Sequence, residues 1–185
     1  HRDDPTVPVD EILAGLDGQR RAGRIRAFAA SNWSVARLAE AQTWAQRQGV
    51  EGFCASQVEW SLATRDRSVP YDPTCLSVGS AEWRYHHQSG LPLVAYSSQA
   101  KGFFDTSRDK RPREFDGVAN HARRERAIAL AQRHGVNANH IALAWLTNQP
   151  FPVIALVGPR NRAQMAASLG AADLHVTPEE LAVVG

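Results

Sequence analysis

Four short apolar runs, each closing on small or polar residues and each followed by a helical pattern, constrain this chain more than any other feature. They cover residues 25–30, 53–58, 93–96 and 153–157. Runs of this length are too short for typical helices and read as buried strands. Helical patterns stand at about 9–22, 34–48, 80–89, 121–134, 137–148 and 161–171. Gly23, Gly49, Gly90 and Gly135 serve as stops. A last helix starts at Thr177-Pro178-Glu179-Glu180, with Thr177 as N-cap, Pro178 at N1 and Glu180 completing a capping box. One helix followed by four strand–helix repeats implies an α/β chain with parallel strands joined by crossover helices. Such a set forms either a small open sheet or half of an eight-stranded barrel, and periodicity does not separate the two.

Parallel strands point their carboxyl ends the same way, and chemistry is placed there. In this chain those ends carry Ser31 and Asn32, Gln57, Tyr96 and Ser97, and the loop Gly158-Pro159-Arg160-Asn161. A hydroxyl beside a carboxamide offers donors and acceptors to a flat polar group. The plain alternative at Ser31 and Asn32 is a turn leading to Ser34 as helix N-cap. The loop 158–161 enters a helix N-terminus, whose free N–H groups and dipole favour a phosphate. Two long loops, about 61–79 and 98–119, are rich in charged residues, Pro and Gly. Loops of that length in a compact domain are usually functional.

With 21 basic against 19 acidic residues among 185, the charge balance points to neither nucleic acid nor an anionic membrane as partner. No apolar run approaches the ~18 residues of a membrane span, and no secretory pattern opens the chain. Cys54 and Cys75 are the only cysteines. They make no disulfide scaffold, and a reducing cytoplasm is the expected setting. No Gly-x-Gly-x-x-Gly occurs, which removes support for a Rossmann fold.

His1-Arg2-Asp3-Asp4-Pro5, then Arg24-Ile25-Arg26-Ala27-Phe28-Ala29-Ala30-Ser31-Asn32-Trp33, Gln57-Val58-Glu59-Trp60-Ser61-Leu62, Leu93-Val94-Ala95-Tyr96-Ser97-Ser98 and Gly158-Pro159-Arg160-Asn161 together resemble the aldo-keto reductase family. Order and spacing match over nearly all of the chain. The resemblance implies the second half, strands 5–8, of a (β/α)8 TIM barrel, with residues 1–185 a single partial domain. It implies an NADP(H)-dependent oxidoreductase that reduces aldehydes and ketones by hydride transfer. A small carbonyl compound would be its substrate, and the N-terminal half of the barrel its missing partner.

By the same resemblance, Ser31, Asn32 and Gln57 hold the nicotinamide carboxamide, and Tyr96 stacks on the nicotinamide ring. Ser97, Gln99 and Lys101 face the pyrophosphate. Gly158, Arg160, Gln164 and Ser168 take the adenosine 2′-phosphate and adenine. Gln99 and Ser168 depart from the residues common in relatives. His1 matches the histidine of the family's catalytic tetrad, which orients and polarises the carbonyl. The tetrad's aspartate, tyrosine and lysine belong to the other half, so the isolated chain is expected to be inactive. It is also expected to dimerise, aggregate or stay partly molten. The alternative is a non-catalytic, nucleotide-binding half-barrel or a redox-sensing relative. A different (β/α)8 enzyme rests on fold alone.

The remaining constellations read blandly. His86, His87, His121, His134 and His140 lack metal-ligand spacing and are expected to be exposed or capping. Asp3 and Asp4 suit a turn. The basic run 108–113 suits a solvated loop. Trp33 and Trp60 suit either a pocket wall or the core.

Overall fold

The computed structural model describes residues 1–107 and 110–185; Arg108 and Asp109, which open the basic run, lie outside the described residues. Helix α1 (Val9–Arg21) precedes strand β1 (Ala30–Ser31), helix α2 (Val35–Gln48), strand β2 (Ser56–Glu59), helix α3 (Ser80–Ser89) and strand β3 (Leu93–Tyr96). Helices α4 (Val118–His134) and α5 (Ala138–Thr147), strand β4 (Val153–Ala155), and helices α6 (Arg162–Leu169) and α7 (Pro178–Val184) follow. The strands are parallel and pair in chain order, β1-β2-β3-β4. Ala30 stands opposite Ser56, and Ser31 opposite Gln57. The four-strand α/β reading therefore holds, with helices as the crossovers that parallel strands require.

The helix ends fall where local chemistry puts them. Ser34, Asn137, Asn161 and Thr177 each accept a hydrogen bond from a first-turn backbone N–H. Thr177 and Glu180 complete the expected reciprocal box. Gly49 and Gly90 close α2 and α3 at φ 66° and 67°, a left-handed conformation that only glycine adopts without strain.

The strands differ more from the sequence expectation than the helices do. The first strand covers only Ala30–Ser31, not 25–30, although Phe28 still accepts from the Cys54 N–H. Arg24 and Arg26 are exposed, so the apolar alternation starts only at Phe28. β2 begins three residues later than expected, and β4 ends two residues sooner. Helix α4 starts at Val118 rather than near 121.

By contact density the chain divides into two units, 1–58 with 72–94 and 59–71 with 95–185. In the first, α1 packs on α2 and α2 on α3, burying Val9, Leu13, Leu38 and Ala41. Phe53 receives the edges of Phe28 and Trp33 at 5.7 and 4.8 Å. Trp33 thus belongs to the core. In the second, α4 packs against α5 and α7 around Phe103, Phe104, Phe115 and Ile141. Trp60 stacks on Phe151 and meets Trp145 edge-on, again as a core residue. Among the described residues, no helix is long and apolar enough to cross a membrane.

His86 overturns the expectation of exposed or capping histidines. It is 2% exposed, and its Nδ1 lies 2.7 Å from the Leu91 carbonyl. Burial holds its pKa below the ordinary 6.5, despite the opposing Leu91 hydrogen bond and the charge of Glu82. Below pH 6.5 the unfolded chain therefore takes up a proton that the folded chain resists. Stability is full above that pH and falls as the pH drops toward the folded pKa. Urea melts from pH 7.5 to 5.5 should show this slope, and His86→Gln should flatten it. An unchanged slope in the variant would place the proton uptake elsewhere.

Candidate functional site

Ser31, Asn32 and Gln57, in the first unit, lie together where β1 ends beside β2. Asn32 follows the strand directly and is buried, with φ 56°. A left-handed conformation is uncommon outside glycine, and asparagine is among the few residues that tolerate it. The Asn32 side chain shows why it is needed. Its Oδ1 accepts from the Leu76 N–H at 2.9 Å, and its Nδ2 donates to Ser31 Oγ at 3.2 Å. The Asn32 N–H in turn donates to the Gln57 carbonyl. Ser31, Asn32 and Gln57 are thus neighbours, joined by strand register and by hydrogen bonds. Ser31 and Gln57 remain partly accessible. His1 is exposed.

The second unit assembles the other candidates around the loop after β3. Tyr96 is half-buried, and its carbonyl accepts from the Trp60 N–H. Ser97, Ala100 and Lys101 all take left-handed backbone conformations, at φ 53°, 46° and 53°. Three such non-glycine residues within five positions cost on the order of 1–3 kcal/mol each, and strain of this kind clusters at functional sites. The loop is fastened beneath by Ser98, whose buried Oγ donates to the Leu156 carbonyl.

Gln99 donates to Ser168 Oγ at 3.0 Å, and Ser168 donates to the Gln164 carbonyl. The Gln164 Oε1 accepts from the Arg160 N–H at 2.7 Å. Gln99, Ser168, Gln164 and Arg160 therefore form one connected chain of contacts. Gln164 folds the loop 158–161 onto the first turn of α6, leaving Gly158 and the Arg160 side chain exposed.

One charged group in this unit was not anticipated from the sequence. Glu59, at the end of β2, is 3% exposed and accepts a bidentate pair from Arg65 at 2.6 and 2.7 Å. That fork-to-carboxylate hydrogen bond raises the Arg65 pKa against the opposing cost of burial. The guanidinium also lies over the Tyr71 ring at 3.9 Å and near the Phe115 ring at 5.1 Å. Arg65 Nη1 reaches Glu114 at 3.9 Å, and the same Glu114 oxygen holds Lys101 Nζ at 2.5 Å. Burial would raise the Glu114 pKa, but the Lys101 hydrogen bond and the two nearby cations bring it below the ordinary carboxylate value. A carboxylate at the end of a buried strand was the available signal, because it must find a partner once buried.

The match to the Aldo/keto reductase family runs over residues 1–184, and the chain belongs to that family. Among solved structures it is similar to the thermostable aldo-keto reductase Tm1743, crystallised with the inhibitor epalrestat. The two are 22% identical with a TM-score of 0.75, over 100% of this chain and 56% of that one. It is also similar to a protein assigned as 2,5-diketo-D-gluconic acid reductase B, at 22% identity and TM-score 0.71, over 100% of this chain and 53% of that one. The chain spans little more than half the length of either.

Proposed function

We propose that this chain is the cofactor-binding half, strands 5–8, of a (β/α)8 oxidoreductase that reduces a small carbonyl compound with NADPH. The observation that carries the reading is the strained backbone at Asn32, Ser97 and Lys101. Asn32 directly follows β1, and Ser97 opens the loop after β3 that carries Lys101, where parallel α/β folds place their sites. The donor set fits a dinucleotide. The side chains of Ser31, Asn32 and Gln57 suit a flat carboxamide, and Tyr96 offers a ring face. Ser97, Gln99 and Lys101 suit the pyrophosphate. The exposed fork of Arg160, beside Gly158, Gln164 and Ser168, suits the adenosine 2′-phosphate. When bound, the nicotinamide supplies the hydride. The chain's own residues bind and orient it, and His1 holds and polarises the carbonyl oxygen, with the remaining tetrad groups supplied by the other half of the barrel.

Fluorescence titration of NADPH and NADH against the complete barrel, as wild type and as Arg160→Ala, tests this reading. NADPH affinity should fall roughly tenfold, the scale of a charge-assisted hydrogen bond, and NADH affinity less than about twofold. Equal losses for the two nucleotides would remove the 2′-phosphate role. No saturable binding by the wild type would remove the reading altogether.

A further inference from the structure

Glu114 touches the one lysine assigned above to a phosphate, and nothing in the proposed chemistry uses a carboxylate there. Its backbone is anchored independently of that lysine, because the Glu114 carbonyl accepts from the Asp66 N–H at 2.7 Å. The side chains grade outward in exposure, from Glu59 and Arg65 at 3% and 6%, through Glu114 at 14%, to Lys101 at 53%. Only the outermost member has room to change partners. If Lys101 leaves, Glu114 keeps Arg65 at 3.9 Å, so no buried charge is orphaned. Arg65 in turn stays fixed by its bidentate grip on Glu59.

We propose that Glu114 is an internal competitor for Lys101: a phosphate-bearing ligand must take the ammonium from this carboxylate, and Glu114 thereby sets nucleotide affinity. The inference rests on the dinucleotide reading above. Glu114 contacts no ligand in this scheme and acts only through Lys101, as a positioning residue. Exchanging one anion for another around an exposed ammonium nearly balances, so the competition tunes affinity without abolishing binding.

The test is a mutant cycle read as the dissociation constant of NADPH. It uses the wild type, Glu114→Gln, Lys101→Met and the double variant, each checked by thermal melting. Lys101→Met should weaken binding about fivefold. Glu114→Gln should tighten it about two- to fivefold, the range of a partly exposed ion pair, and most of that gain should vanish in the Lys101→Met background. The same gain in both backgrounds would mean direct repulsion between Glu114 and the phosphate, and would overturn the proposal. So would weaker binding by Glu114→Gln. Should Glu114→Gln fail to fold, Glu114→Asp keeps a carboxylate near Arg65 on a shorter arm. It should give a smaller gain with the same dependence on Lys101, and a gain independent of Lys101 again overturns the proposal. If none of the proteins binds NADPH saturably, the dinucleotide reading falls and this one with it. Saturable binding with additive effects removes this inference alone.

Discussion

Arg65→Ala should lower the thermal midpoint by on the order of 10 °C. Removing one member of a buried ion pair costs about 3–5 kcal/mol, because the other charge is left without compensation. A chain of this size loses about 2–4 °C per kcal/mol. Glu59 is the charge left behind, 3% exposed at the end of β2. The variant also removes the cation from the faces of Tyr71 and Phe115 and unfastens Glu114. Replacing both partners with apolar residues, as in Glu59→Leu with Arg65→Met, should recover most of the loss, because no charge then remains buried. Differential scanning calorimetry of the single and double variants decides the point. A single variant that melts with the wild type would show that the pair is not desolvated as the structure has it.

Asn32→Ala should destabilise the chain by roughly 2–3 kcal/mol. About 1–3 kcal/mol follows from leaving the Leu76 N–H without its acceptor. Up to about 1 kcal/mol more comes from placing alanine at φ 56°. Asn32→Asp keeps the acceptor and much of the tolerance for that conformation, so its denaturation midpoint should stay close to the wild type. It discards the amide donor, so nucleotide binding should weaken while the fold persists. Urea denaturation and NADPH titration of the two variants separate these roles. Equal destabilisation by alanine and aspartate would show that Leu76 does not depend on the Asn32 oxygen.

Much of the architecture was legible residue by residue. The caps at Ser34 and Thr177 were predicted from residue type and are made in the structure, because capping depends on groups three positions apart. The bounds of α3 and β3 were read correctly for a similar reason, since Gly90 and Pro92 punctuate that stretch sharply. The first strand was overestimated, because the composition of 25–30 suggests a strand while strand formation depends on a neighbour to pair with. His86 was misplaced because a histidine carries no local mark of burial. Its acceptor, the Leu91 carbonyl, becomes available only after α3 turns at Gly90.

The sequence alone determined the order of helices and strands and which residue types stand at the strand ends, because short-range periodicity and chain connectivity control both. The tertiary structure alone decided that Asn32 supports Leu76, that Gln99 meets Ser168, and that Glu59, Arg65, Glu114 and Lys101 form one charged group. These partners lie 6 to 69 positions apart in the chain. Their pairing is set by the loss of water from buried polar groups, which no local pattern of residues records.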